Sequence, residues 1–157
     1  MATILIALVA FIASGSSLGG EPTRPAVRYV IPEGYVGWLR IDYGVNDAHA
    51  PGYGVERALP LPVRDGVVVA EFPASGHLVT SSETEFGWAS DQYFYSAKGK
   101  LTPLSQAKGS AMVWNKFNGR LGGAASQTEM FFVGDEADYM KYGYRHDPVP
   151  RAGPLKR

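Results

Sequence analysis

Ser105-Gln106-Ala107-Lys108 has the Ser-x-x-Lys spacing in which penicillin-recognising enzymes activate a serine nucleophile. That chemistry also needs Ser-Asp-Asn and Lys-Thr-Gly elements, and the chain has neither, so the match is one of chance in a polar loop. Asp42, Asn46 and Asp47, or Asp135, Glu136 and Asp138, gather oxygen donors of the kind calcium uses. Calcium asks for about six to eight oxygens at set positions, and neither group carries the loop with its closing glutamate. The first group reads as turn residues and the second as a helix cap. His49, His77 and His146 stand far apart with no ligand spacing and read as surface or loop histidines. A glycosidase would need two facing carboxylates, and the 15 acids offer no spacing that selects a pair. Gly-x-Ser-x-Gly, Walker and His-Glu-x-x-His motifs are absent. The chemistry-bearing residues therefore predict a protein that is not an enzyme, with no metal and no cofactor.

Aromatic side chains carry the functional expectation instead. Trp38, Trp88, Tyr93 and Tyr95 form a candidate ligand-binding set, a stacking face for a glycan or peptide. Strand alternation puts Tyr93 and Tyr95 together, opposite Phe94. The competing fate is packing, because large aromatics commonly fill the core of a small domain and leave polar tips at its rim.

The elements that must position these residues are short. Seven apolar runs, at 27–31, 35–43, 66–72, 76–80, 91–96, 111–115 and 128–133, are each bounded by turn residues and rich in Val, Tyr, Phe and Trp. They predict an all-β fold, a single small β-sandwich (transthyretin-like or immunoglobulin-like) of about seven strands. One short C-terminal helix is expected over "DEADYMKYG", capped by Asp135 and stopped by Gly143. "YVIPEGYVGWLRIDYG" reads as a hairpin turning at Pro32-Glu33-Gly34. In it Tyr35, Gly37, Leu39, Ile41 and Tyr43 face the core, while Val36, Trp38, Arg40 and Asp42 face water, Trp38 with partial shelter. "RDGVVVAEFPASGHLVTSS" reads as a second unit, turning at Asp65-Gly66 and at Pro73 to Gly76, and "YFYSAKGKLTPL" as a third, turning at Lys98-Gly99. The loop 44–62 is long for a compact domain, a length that accompanies function or mobility.

At 157 residues the chain fits one domain with a core that needs no staples, and it has no cysteine to form a disulfide, a thiolate zinc site or a lipid anchor. Fifteen basic and 15 acidic residues cancel without long runs, which argues against nucleic acid as a partner. Residues 1–19 read as a signal peptide: Ile4 to Ala13 is an apolar run of signal-peptide length, short of the roughly 20 residues of a membrane span. A linker at 20–26, the domain at 27–145 and a disordered, proline-rich tail at 146–157 complete the expected organisation.

The ordered series "IPEGYVGW", "PLPVRDG", "FPASG", "DQYFY" and "FFVG" resembles a bacterial family of exported domains of unknown function, over about Arg28 to Gly134. The resemblance implies a small, β-rich, exported domain without an assigned activity. The expected function is a non-catalytic binding or structural module of the cell envelope, secreted or periplasmic, with a protein or glycan partner and no membrane span in the mature chain. A carbohydrate- or peptide-binding module using exposed aromatics is the alternative, and a small envelope hydrolase the third reading.

Overall fold

A computed structural model of the protein describes residues 22–106, 111–120, 127–143 and 152–155. The predicted signal peptide lies outside them. Ten strands occur in this part: β1 (Val27–Pro32), β2 (Gly37–Tyr43), β3 (Val63–Arg64), β4 (Val67–Glu71), β5 (His77–Val79), β6 (Gln92–Ala97), β7 (Lys100–Pro103), β8 (Met112–Gly119), β9 (Gln127–Gly134) and β10 (Gly153–Pro154). Each of the seven apolar runs contains a strand, and β3, β7 and β10 are additions. The fold is all-β with one short helix, α1 (Glu136–Asp138). The Asp135 carboxylate caps α1 by accepting from the Asp138 N–H at 2.8 Å, as the acidic first turn predicts. A single π-helical turn, Tyr139–Gly143, continues it.

Two mixed sheets result. The first runs β3-β4-β1-β6-β7; the second runs β10-β2-β9-β8, with β5 also on β2. β1 pairs in parallel with both β4 and β6, and β2 in parallel with β5. An immunoglobulin sandwich is antiparallel within each sheet, and these sheets are not.

The expected hairpin from Tyr29 to Gly44 does not form, because β1 and β2 belong to different sheets. The turn itself is real: the Tyr35 N–H donates to the Pro32 carbonyl at 3.1 Å, with Gly34 at φ 70. Positive φ at the third residue is the type II pattern, whose twist splays the flanking strands. The Pro73–Gly76 turn does the same to β4 and β5. These two arches stack, β1 beside β4 and β2 beside β5, which is how parallel pairs arise from such short connections. The two-residue turns behave as predicted. Asp65-Gly66 (φ 53 and 75) and Lys98-Gly99 (φ 49 and 80) have the paired positive φ of hairpin turns, and they join β3 to β4 and β6 to β7.

The main core lies between the sheets, with Tyr29, Ile31, Ala70 and Tyr95 from one and Leu39, Ile41, Phe131 and Val133 from the other. The inward set of β2 is therefore as predicted, and its outward set is not. Trp38 is 7% exposed and packs with Met130, Phe132, Tyr139 and Leu155 in a second cluster, beneath the C-terminal helical turn. Asp42 is completely buried. β2 is covered on both faces because later chain segments lie over its second face, which no local pattern reveals. One such segment is β10, in the stretch expected to be a disordered tail; it pairs with β2 and brings Leu155 onto the second cluster. Gly37 is needed for that contact. A Cβ there would strike the Gly153 carbonyl, and its φ of 146 is glycine's own. The loop 44–62 folds on itself around Val45, Ala50 and Ala58, against Val79.

Candidate functional site

Polar side chains collect at one end of the core, where strand alternation carries charged residues inward. On β9, Glu129 shares a face with Phe131 and Val133, so it points between the sheets and is 6% exposed. On β8 a bulge is needed. Trp114 faces Phe132 and Phe117 faces Met130, which leaves Asn115 and Lys116 together opposite Phe131. The extra residue, with Asn115 at φ 48, turns Lys116 inward while Phe117 stays outside. Neighbouring strands β1 and β6 supply Tyr29 and Tyr93, partners in register, their rings stacked at 4.8 Å.

The Lys116 ammonium donates to the Tyr29 hydroxyl (2.7 Å), to Asp91 (3.2 Å) and to the Tyr93 hydroxyl (3.3 Å), and lies 3.5 Å from Glu129 Oε2. It also lies 4.5 Å from the Tyr29 ring centre. Asp91, just ahead of β6, accepts two bonds from the Arg24 guanidinium (2.9 and 2.8 Å) and one from the Val27 N–H (3.0 Å). Arg24 belongs to the stretch expected to be a linker, yet it is fixed to the domain here; Thr23 beside it donates its N–H to the Trp88 carbonyl.

The two carboxyl groups titrate in opposite directions. Burial pushes Glu129 above its usual value, more than the Lys116 charge and the Tyr29 hydroxyl draw it down. Burial would raise Asp91 as well, but bonds from Arg24, Val27 and Lys116 outweigh it and hold Asp91 below its usual value. Burial alone would lower Lys116, and the charges of Glu129, Tyr93 and Asp91 raise it instead, so it stays protonated. Tyr29 and Tyr43 are pushed far up by burial and by the Glu129 charge.

A cavity of about 430 Å³ opens beside this cluster, with Glu129, Lys116 and Tyr43 deep in its lining and Val63, Glu83 and Phe86 nearer solvent. Two polar atoms of its lining, Glu129 Oε1 and Thr84 Oγ1, are buried with no hydrogen-bond partner among the described residues.

The predicted aromatic set does not assemble here. Trp38 and Tyr95 are buried, Trp38 in the second cluster and Tyr95 in the main core with its hydroxyl donating to the Tyr35 carbonyl at 2.8 Å. Tyr93 packs on Tyr29 at the polar cluster. Trp88 alone of the four is exposed, at 50%. Among the calcium candidates, Asp42 takes protein donors, Asn46 accepts from the His49 N–H, Asp47 pairs with Arg57 and Asp135 caps α1. Ser105 is exposed; Lys108 and His146 lie outside the described residues. Sequence reasoning missed Glu129 and Lys116. Alternation with Phe131 and Val133 was the available signal for Glu129, but Met130 and Phe132 made the other face equally apolar. The bulge that redirects Lys116 has no signature in the run.

Against known proteins, the model of a Family of unknown function (DUF6843) matches residues 24–140. The chain belongs to this family. The DUF6843 match begins at Arg24 and takes in Asp91, Lys116 and Glu129, so the whole polar cluster lies within the family's domain. A solved structure named "Putative Lipoprotein from Bacillus anthracis" is similar, with 25% identity and a TM-score of 0.52 over 79% of this chain and 80% of that one. No curated protein matches.

Proposed function

We propose that this DUF6843 domain is a non-catalytic binding module of the bacterial cell envelope that takes its ligand in the cavity beside Glu129. The observation that carries the reading is a buried carboxylate with one oxygen unpaired, in the wall of an open cavity. Unpaired buried acceptors are costly and are rarely kept without a use. The ligand would sit inside the cavity, with Trp88 outside it, in place of the exposed aromatic face expected from sequence.

A hydrolase would also use two carboxyl groups with separated titrations. What supports binding over hydrolysis is the state of Asp91. Its oxygens are taken by Arg24, Val27 and Lys116, and it is absent from the cavity lining, so it is not free to act with Glu129; the other carboxylates of the lining, Glu83 and Glu85, are exposed.

Export is supported by the apolar run Ile4 to Ala13 and by the likeness to a protein named as a lipoprotein. Among the described residues no helix is long and apolar enough to cross a membrane. N-terminal sequencing of protein recovered outside the cytoplasm should read a start between Gly15 and Glu21; an intact Met1 would refute cleavage.

Binding is tested by thermal melts with a panel of small amines, carboxylates and sugars, run on the native protein and on Asn118→Trp, which narrows the cavity. At least one compound should raise the native midpoint and do so less in the variant. A panel that shifts neither protein, or both equally, would refute the cavity as the site.

A further inference from the structure

The donors and acceptors around the cavity are unevenly used, and the imbalance names a ligand. Both cations of the cluster are occupied. Lys116 is engaged by Tyr29, Tyr93, Asp91 and Glu129, and Arg24 gives its guanidinium to Asp91 and to the Gly87 and Pro25 carbonyls. An anionic ligand would have to displace these bonds. The groups left over are Glu129 Oε1, an acceptor, and the Thr84 hydroxyl. The charge has the same sense. Four carboxylates, Glu83, Glu85, Glu129 and Asp91, stand against two cations, Arg24 and Lys116, a local balance of −2.

Resting on the cavity reading above, we propose that the site binds a primary ammonium group carried on an unbranched apolar stem, the chemistry of a lysine side chain or an alkyl diamine. The ammonium supplies a charged donor to Glu129 Oε1, a bond roughly twice as strong as a neutral one. It carries three protons, which leaves donors over for the Thr84 hydroxyl in the same lining. Its charge relieves the carboxylate that burial holds at a cost. The stem lies along Val27, Leu61, Val63, Val68 and Phe86, the apolar part of the lining. Val63 and Phe86 are 66% and 70% exposed, so this wall reaches from the cluster out to solvent. Glu83 and Glu85, also exposed, attract a cation toward the entrance.

The test is titration calorimetry on the full domain at neutral pH. The probes are 1,5-diaminopentane, a capped lysine (Nα-acetyl-lysine methylamide), pentanoate, 1-pentanol and glucose. At least one amine should bind at least ten times more tightly than every uncharged or anionic probe. That binding should fall at least tenfold in Glu129→Gln and measurably in Thr84→Val, with both variants checked for native melting. Tighter binding of the diamine assigns a free polyamine-like ligand, and tighter binding of the capped lysine assigns a protein side chain. Binding that survives Glu129→Gln unchanged would overturn the proposal, as would failure of both amines. If glucose or pentanoate bound better than the amines, and Asn118→Trp weakened it, the cavity would stand as the site and the ammonium assignment alone would fall.

Discussion

Asp42 and Glu129 are buried carboxylates on neighbouring strands of one sheet, and the fold treats them in opposite ways. Asp42, on the outer face of β2, has all its lone pairs answered. Oδ2 accepts from Arg40 Nε at 2.9 Å and pairs with His77 Nε2 at 2.6 Å; Oδ1 accepts from Arg40 Nη2 at 2.9 Å and from the Thr128 hydroxyl at 2.5 Å. Burial would raise its pKa, but these partners together hold it below the usual value. Glu129, on the inner face of β9, keeps one oxygen unpaired beside a cavity, and burial wins. Similar burial thus gives a completed network that fastens three strands in one place and a group awaiting a partner in the other. Burial alone does not separate the two carboxylates; the count of unanswered lone pairs does.

The sharpest way to break this comparison is to remove the carboxylate of Asp42. Asp42→Ala strands the Arg40 charge, His77 and the Thr128 hydroxyl, and should cost about 3 kcal/mol, the range for breaking a buried charge pair. Leu39→Ala and Ile41→Ala, on the opposite face of the same strand, should cost about 2–5 kcal/mol by losing packing and opening a cavity. Urea melts that showed Asp42→Ala within about 0.5 kcal/mol of native, the usual range for a solvated site, would show the network to be incidental.

Titration separates the two groups next. Asp42 and Asp91 have folded pKa values below the ordinary 3.8, so the stability they give is present above pH 3.8 and is lost as pH falls through their folded values. Glu129 is raised above 4.5, so its burial costs stability while it is ionised. That cost is relieved as pH falls from the folded pKa toward 4.5. Urea midpoints taken between pH 7 and pH 3 should therefore show a contribution from Glu129 that rises on acidification, followed by a loss below pH 3.8. In Glu129→Gln the early rise should vanish and the later loss remain. A variant and native protein with parallel profiles would contradict the raised value.

The reading of the sequence follows the same division between local and distant causes. Alternation placed Leu39, Ile41 and Tyr43 inside correctly, because one buried face is written in the strand itself. Asp65-Gly66 and Lys98-Gly99 were legible as turns because paired positive φ is a local demand. The Pro32–Gly34 turn was legible too, but which sheet each flanking strand joins depends on partners elsewhere in the chain, and β1 found β4 and β6. Trp38 and Asp42 were misplaced for the same reason. Their cover comes from Leu155, Tyr139, His77 and Thr128, at least 35 residues away. The site was hidden further, since Lys116 enters it by a bulge and Arg24 by an ion pair across 67 residues.

At neutral pH, Glu129→Gln should raise stability, because burial disfavours the ionised form of this carboxylate. Lys116 retains Asp91 at 3.2 Å, so the change does not leave a bare cation. The same variant is expected to lose ligand binding, and a variant that gains stability while losing function is the mark of a site kept unsatisfied for use. A large destabilisation would instead make Glu129 a structural partner of Lys116, and its contrast with Asp42 would disappear.

The smallest effect is expected at Trp88, and it sharpens where the site ends. Phe86 and Gly87 line the cavity, while Trp88, the next residue, does not. Its backbone is clamped to the start of the domain, its N–H donating to Thr23 Oγ1 and its carbonyl accepting from the Thr23 N–H, both at 2.9 Å. The clamp uses only main-chain atoms of Trp88, so it survives truncation of the ring. With the residue 50% exposed, Trp88→Ala should change stability by no more than about 0.5 kcal/mol. It should leave ligand affinity unchanged, whereas Phe86→Ala removes part of the cavity wall and should weaken binding severalfold at a similarly small cost in stability. Parallel melts and titrations of the two variants decide between them. If Trp88→Ala weakened binding more than Phe86→Ala, the ligand would be stacking on the exposed ring, and the Glu129 cavity would lose its place as the primary contact.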